Sequence, residues 1–284
     1  MNSRKPLKSM GENKITFSIE ILGSGTSHGV PSPGCRNPTC CCHSTDPRDK
    51  RTRQSAFLRF SNGINILIDC GTDMRTQLTR ANVKSIDYLF ITHKHADHIH
   101  GFSDLRLLAR QKEIPVYLEK ETLDAMLNTY HYLFHGQTTT SKNEKFALHL
   151  LEKVTHIGPI SVVKVPIFHG DFPICGFRIG KMAYLTDCSQ IPEESYPLLK
   201  GIDYLFIDSL SLIPFNTHFC FNQALDEIEK IKPKHAWFIH VAHNLSYVQI
   251  DEFVESQRKE RPGLEGIEVH SSYDGMIIED IPAI

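Results

Sequence analysis

Long hydrophobic runs and an excess of charge are both missing from this sequence of 284 residues. No apolar stretch approaches the roughly 18 residues that span a bilayer, so we expect no membrane partner. The formal net charge is −2, which excludes a strongly basic protein and makes nucleic acid a poor candidate partner. With 40% hydrophobic and 23% charged residues, the composition is typical of a globular protein that buries a core.

A secretory signal and an interdomain linker are also missing. Residues 1–14 are polar and bear lysines, without the apolar stretch of a signal peptide. We predict a flexible leader at residues 1–14, followed by one domain over residues 15–284. The expected compartment is the cytoplasm, where thiols stay reduced. The sequence leaves a homodimer open.

The cysteines divide into two groups. The dispersed ones, which stand among apolar neighbours, are Cys70, Cys175, Cys188 and Cys220. The clustered ones are Cys35, Cys40, Cys41 and Cys42. Isolated cysteines among apolar residues are expected to pack as small core side chains. For the cluster, in a reducing compartment, a metal site is a better prediction than disulfides.

Strand patterns rich in Ile, Val, Phe and Tyr alternate with helical patterns along the whole chain. The predicted strands are Thr16–Leu22, Ala56–Phe60, Ile64–Asp69, Tyr88–Thr92, Pro115–Leu118, Ser161–Ile167, Phe177–Ile179, Met182–Thr186, Tyr204–Asp208, His235–Ile239 and Met276–Ile278. The predicted helices are Met74–Ala81, Leu105–Gln111, Glu121–Phe134, Asn222–Lys230 and Tyr247–Lys259. This alternation predicts an α/β protein.

One six-residue pattern, Ile-Asp-Tyr-Leu-Phe-Ile, occurs twice, at residues 86–91 and 202–207. A polar segment follows each copy. Two similar buried strands are one explanation. The other is a fold made of two related halves, each ending a strand at a shared cleft, where ligands tend to gather.

The densest cluster of histidines follows directly on the predicted strand Tyr88–Thr92. It consists of His93, His95, Asp97 and His98. Imidazole nitrogens and carboxylate oxygens are ligands that suit Zn²⁺, Mn²⁺ or Fe²⁺. Burying them together without a cation would leave unpaired polar groups, which is costly. The pattern therefore indicates a metal site rather than a solvated, histidine-rich loop.

The pattern His-x-His-x-Asp-His after a hydrophobic strand resembles the metal motif of the metallo-β-lactamase superfamily. The resemblance implies a four-layer αββα sandwich with two metals at the strand ends between its halves. Its implied ligands are His93, His95 and His169 for one metal, Asp97, His98 and His240 for the other, and Asp187 as the bridge. Asp69 is then expected to orient the metal loop or a ligand imidazole.

Features near the beginning of the sequence narrow the resemblance to one family within the superfamily. A glycine-rich turn at residues 22–31, the cysteine cluster and an arginine-rich stretch at residues 44–51 are similar to the phosphoribosyl cyclic phosphodiesterases of the carbon–phosphorus lyase pathway. That resemblance implies a structural zinc bound by Cys35, Cys40, Cys42 and His243. This sequence departs from the pattern because three cysteines run together. Cys41 and His43 therefore stay open as ligands. The glycine turn either cradles a phosphate or is only a tight turn.

The resemblance also implies an activity. It is the hydrolysis of a small phosphodiester, such as phosphoribosyl 1,2-cyclic phosphate, by two divalent ions, Zn²⁺ or Mn²⁺. The implied catalytic residues are Asp97 and His218, with His218 protonating the leaving oxygen. Arg106 either binds a phosphate or is a charge on a helix surface.

Other activities on the same scaffold stay open. They are a tRNA 3′-processing endonuclease, whose protruding arm would have to be the short stretch at residues 136–145, a lactonase and a thioesterase. A non-catalytic metal-binding protein is the alternative outside the enzymes. Fold-level resemblance alone does not choose a substrate.

Overall fold

The computed structural model describes residues 14–134 and 145–284. The predicted leader, except for Lys14, and the predicted arm, except for Lys145, lie outside the described residues. The assignment of residues 15–284 to one domain stays a prediction. None of the helices in the described part of the chain has the length and apolar composition that crossing a bilayer requires.

The described residues form fourteen strands and eight α-helices. The strands are β1 (Thr16–Gly23), β2 (Ser55–Phe60), β3 (Asn65–Ile68), β4 (Tyr88–Phe90), β5 (Ile114–Leu118), β6 (Phe146–Leu150), β7 (Val154–Ile157), β8 (Ile160–His169), β9 (Phe172–Ile179), β10 (Met182–Leu185), β11 (Tyr204–Asp208), β12 (His235–Ile239), β13 (Glu268–Ser271) and β14 (Ile277–Pro282). The helices are α1 (Met74–Arg80), α2 (Ala96–Ile99), α3 (Arg106–Gln111), α4 (Lys120–Thr129), α5 (His131–Phe134), α6 (Tyr196–Leu199), α7 (Phe221–Ile231) and α8 (Tyr247–Arg258).

The strands build two sheets of seven. Their orders are β14-β1-β2-β3-β4-β5-β6 and β13-β12-β11-β10-β9-β8-β7. In one sheet, neighbouring strands are antiparallel from β14 to β3 and parallel from β3 to β6. In the other sheet, neighbouring strands are antiparallel from β7 to β10 and parallel from β10 to β13. The two copies of the repeated pattern contain β4 and β11, one in each sheet. The structure therefore supports two related halves over two unrelated buried strands.

Three apolar clusters separate the layers. One lies between the sheets and joins side chains such as Ile19 and Phe90 to Phe177 and Phe206. The second packs the outer face of the β7–β13 sheet against α7 and α8, and the third packs the outer face of the other sheet against α1, α3 and α4. This is the αββα sandwich that the sequence predicted. It leaves the carboxyl ends of the parallel strands of both sheets at one edge.

The sequence missed three strands, β6, β7 and β13. Each lies at the edge of its sheet, where much of the strand is exposed and the hydrophobic pattern is weak. The predicted helix Glu121–Phe134 was wrong as a single element. It is two helices, α4 and α5, interrupted at Tyr130, whose hydroxyl donates to the carbonyl of Ile99.

Candidate active site

The histidine motif begins in the turn after β4, which contains His93 and His95, and continues into α2, which contains Asp97 and His98. The turn packs directly on the loop that follows β3. The Cys70 amide donates to the His98 carbonyl at 2.7 Å, and a Cβ atom on Gly71 would lie 1.9 Å from the Asp97 carbonyl oxygen. Only glycine permits this close approach, so the backbone of one loop fixes the position of the other.

Two groups of predicted ligands meet around one carboxylate. Asp97, His98, Asp187 and His240 have ligand atoms within 4.8 Å of one another, and so have His93, His95 and Asp187. His169 joins Asp187 and His218 in a third such group, with its ring 5.0 Å from that of His95. Asp187 belongs to all three groups. His93 and His95 thus fall in one group and Asp97, His98 and His240 in another, whereas His169, expected with His93 and His95, is grouped with Asp187 and His218.

His93, His98 and His169 present their Nε2 atoms to the cluster because their Nδ1 atoms have other partners. In His98 the Nδ1 lies 2.8 Å from a carboxylate oxygen of Asp69, and in His169 it lies 3.0 Å from the carbonyl oxygen of Asp187. The buried Nε2 atoms of His93 and His98 have no hydrogen-bond partner. Unpaired buried nitrogens with a second ring nitrogen held in place are typical of metal-binding histidines, so the residues fit divalent cations.

Asp69 holds the motif together, as the sequence predicted. Besides contacting His98, its carboxylate accepts hydrogen bonds from the Thr92 amide at 2.8 Å and the Thr92 hydroxyl at 2.9 Å. The same hydroxyl lies 3.0 Å from Nδ1 of His93. One buried carboxylate thereby orients two imidazoles, each in a different ligand group.

Three residues of the site have left-handed backbones. Asp69, Asp187 and His240 have φ angles of 61°, 55° and 59°, and each follows the end of a strand. Such conformations cost about 1–3 kcal/mol for residues other than glycine and persist only where the surroundings impose them. At His240 the support comes from buried Gln54, which accepts from the His240 amide at 2.9 Å and donates to the Tyr184 hydroxyl at 2.7 Å.

The electrostatics of the cluster favour a bound cation. Burial opposes the ionisation of Asp187, but the neighbouring imidazoles outweigh it and lower the pKa of this carboxyl well below its usual range. Burial likewise opposes protonation of His98, and the carboxylates of Asp187, Asp97 and Asp69 outweigh it and raise its pKa. At His93 burial dominates and lowers the pKa, which keeps that imidazole neutral, the form that binds metal.

His218 faces the cluster from the loop after β11. Its ring lies 4.7 Å from those of His169 and His240, and its Nδ1 lies 2.7 Å from a carboxylate oxygen of Asp208. Burial lowers the pKa of His218, and the carboxylates of Asp187 and Asp97 act in the opposite direction. Burial also raises the pKa of Asp208 well above its usual range, so the contact between Asp208 and His218 serves to orient the imidazole. The sequence reasoning missed Asp208 as a functional residue. The repeated pattern was the available signal, because Asp208 directly follows its second copy.

The cysteine cluster lies against the segment after His240. Cys35, Cys42 and His243 have ligand atoms within 4.8 Å of one another, and so have Cys35, Cys40 and His43. The Cys35 and Cys40 sulfurs are 3.1 Å apart. The thiol of Cys41 is engaged elsewhere, since it donates to the His243 carbonyl at 3.2 Å. The geometry therefore favours Cys40 and Cys42 over Cys41, and leaves His43 beside the group.

Two sequence-based hypotheses about phosphate binding find no support. The amides of the glycine turn are occupied internally, for example Gly25 to Thr52 and Val30 to Arg51, and a Cβ atom on Gly25 would lie 2.9 Å from the Arg51 carbonyl oxygen. These glycines serve close backbone packing. Arg106 lies with Arg75 in a separate cleft between α1 and α3, whose lining includes none of the predicted metal ligands.

Known proteins share this fold. Residues 64–241 match the family described as the beta-lactamase superfamily domain. The crystal structure of a diphosphatase from the PhnP family superimposes with a TM-score of 0.82 and 32% identity, covering 94% of this chain and 99% of that one. The chain therefore belongs to the metallo-β-lactamase superfamily and, within it, to the PhnP family.

Two curated relatives extend the comparison. An octanoyltransferase of Porphyromonas gingivalis is 36% identical over 265 residues, which are 90% of this chain and 50% of that protein. A ribonuclease Z of Parabacteroides distasonis is 26% identical over 183 residues, which are 58% of each protein. The chain thus spans about half the length of these curated relatives.

Proposed function

We propose that this protein is a metal-dependent hydrolase that cleaves small phosphodiesters, with a cyclic phosphate of a ribose as the reacting group. The observation that carries the proposal is the position of the His218–Asp208 pair. It faces the cluster around Asp187 and supplies a proton donor beside the metal ligands. The PhnP-family diphosphatase and the ribonuclease Z among the similar proteins support phosphoester chemistry.

We propose two divalent ions, Zn²⁺ or Mn²⁺, in this site. Their ligands are His93, His95 and His169 for one ion, Asp97, His98 and His240 for the other, and Asp187 for both. Bound ions of this kind act as Lewis acids and lower the pKa of water enough to give a nucleophile at neutral pH. We assign Asp97 two roles, as a ligand of the second ion and as a catalytic residue.

The residues of the chain divide the remaining work. Asp69 and Thr92 hold the imidazoles of His93 and His98 in the orientation that directs Nε2 inwards. His218 protonates the departing oxygen through Nε2, because Asp208 occupies its Nδ1. The contact with Asp208 holds the His218 ring so that Nε2 faces the ligand groups. A substrate phosphate is thereby placed between the ligand groups and the proton donor.

The first experiment tests phosphodiester against ester chemistry. We expect purified, metal-loaded protein to release p-nitrophenolate from bis(p-nitrophenyl) phosphate with Mn²⁺ or Zn²⁺, measured by absorbance. Chelator-treated protein serves as the blank. Efficient lactone or thioester hydrolysis without phosphodiester cleavage would contradict the proposal. Preferred cleavage of precursor tRNA over small substrates would move the assignment to a processing endonuclease.

We also propose that Cys35, Cys40, Cys42 and His243 bind a structural Zn²⁺. The Ser32 amide donates to the Cys42 sulfur at 3.1 Å, which holds that sulfur in position. All four cysteines of the cluster are free of disulfides, as binding of zinc requires. A reducing compartment such as the cytoplasm would keep them so.

Cys35→Ser should lose one of about three bound ions, because it removes a ligand from a closed tetrahedral site. Its melting temperature should fall, since structural zinc contributes directly to folding. Cys41→Ser is the matched control. It should keep the full metal content, because the Cys41 thiol is directed to a backbone carbonyl. Elemental analysis measures the metal content, and thermal unfolding measures the melting temperature. Full metal content in the Cys35 variant would rule out this site.

A further inference from the structure

A cavity of about 390 Å³ opens beside the metal ligands and is not used by the chemistry described above. Its inner end is formed by Thr92, His93, His95 and His169. Its outer walls come from β8 and β9 on one side and from the start of α4 on the other. His218 does not line it. A substituent of the substrate that extends away from the proton donor would enter this cavity.

Four of the five charged Lys and Glu side chains that line the cavity form two ion pairs, and the fifth, Lys120, pairs with Asp124 outside it. Lys94 pairs with Glu121 at 2.9 Å, and Lys164 pairs with Glu119 at 2.7 Å. A second phosphate would bring its charge next to two carboxylates and would have to compete for lysines that are already paired. The walls therefore suit an uncharged group that both donates and accepts hydrogen bonds at its edge.

The remaining surface is apolar. Phe172, at the start of β9, lines the cavity and is 59% exposed, so part of its ring is accessible to a ligand. Pro166, Pro173 and Ile174 continue this apolar surface into the cavity. The Lys94 ammonium group lies 5.8 Å from the centre of the Phe172 ring, close enough to interact with its face.

We propose that this cavity is a subsite for a planar heterocycle such as a nucleobase, with Phe172 as the stacking surface. A nucleobase has apolar faces, which match the phenyl ring and the prolines. Its edge carries donors for Glu119 and Glu121 and acceptors for the lysines. The inference rests on the proposed phosphodiesterase function and narrows it to nucleoside phosphodiesters. Phe172 is then a residue that determines specificity.

The test compares two substrates that differ only in the base, adenosine 2′,3′-cyclic phosphate and methyl riboside 2,3-cyclic phosphate. For the metal-loaded wild type we expect higher kcat/KM on the adenosine substrate. Phe172→Ala should reduce this preference about 10- to 100-fold, the usual effect of losing one base–aromatic stack. Phe172→Tyr should restore it. Tyr132→Ala, an exposed aromatic that does not line the cavity, should leave it unchanged.

A binding measurement separates this inference from the proposed function. Calorimetry compares adenosine 5′-monophosphate with ribose 5-phosphate, on wild type and on Phe172→Ala. Tighter binding of the nucleotide that Phe172→Ala abolishes supports the subsite even if neither cyclic phosphate is cleaved, in which case the phosphodiesterase proposal alone fails. Equal effects of Phe172→Ala on both ligands overturn the subsite. A change of oligomeric state in this variant, seen by size-exclusion chromatography with light scattering, also overturns it and makes Phe172 a contact between copies.

Discussion

Replacing Asp187 by alanine is expected to remove up to two metal ions per chain and nearly all hydrolytic activity. Its carboxylate lies within 3.1–3.6 Å of the Nε2 atoms of His98, His240 and His93, so it is the one side chain common to both ligand groups. Loss of a residue that merely supports a ligand costs roughly 10–100-fold in affinity or activity. Loss of the bridge should therefore cost more than that.

Metal content of protein purified without chelator provides the measurement for Asp187→Ala, alongside hydrolysis of bis(p-nitrophenyl) phosphate. Asp226→Ala is the control, because Asp226 is an exposed aspartate on α7 that pairs with Arg261. It should retain its metals and its activity. The structural zinc should remain in both variants. An Asp187 variant that keeps all its ions would refute the bridging role.

Replacing His218 by alanine should have the second largest effect, and the effect should depend on the leaving group. An alkoxide leaves poorly without a proton, so a ribose cyclic phosphate should be cleaved about 10²–10⁴-fold more slowly. A p-nitrophenolate departs without help, so bis(p-nitrophenyl) phosphate should lose much less. The comparison of kcat on the two substrates is the measurement.

The same measurement applies to Asp208→Asn, which keeps the shape of the side chain but replaces the carboxyl oxygen that contacts Nδ1 of His218. It should show the same dependence on leaving group with a smaller loss. His156→Ala, at an exposed histidine of β7, should match the wild type. Equal losses on both substrates would make His218 a binding residue. Loss of metal from His218→Ala would make it a ligand, which its distance to Asp187 permits.

The sequence determined the secondary structure of the buried elements. Both copies of the repeated pattern form interior strands, β4 and β11. A continuous apolar run is stable as a strand only where both faces of that strand are covered. The edge strands β6 and β13 could not be predicted in the same way. Their residues are partly exposed, and they form strands because a neighbouring strand offers free backbone groups.

The sequence also determined the types and order of the candidate ligands. The spacing of His93, His95, Asp97 and His98 indicated metal by local chemistry alone, whereas His169, Asp187 and His240 were assigned by resemblance to a family. The tertiary structure brings these residues together. His169, Asp187 and His240 each lie at the carboxyl end of a strand or in the loop just after it, and packing of the two sheets brings those ends together.

Other features of the site depended wholly on that packing. Gln54 reaches the His240 amide only because segments 186 residues apart meet. Asp208 and His218 are ten residues apart, and the path of the loop after β11 brings their side chains together. At the glycine turn, packing removed a role that the composition allowed. The composition is suited to binding a phosphate, but amides of the turn such as those of Gly25 and Val30 donate to backbone carbonyls instead. Local sequence fixes which groups are available for bonding, and tertiary packing decides which partners they meet, because those partners come from distant parts of the chain.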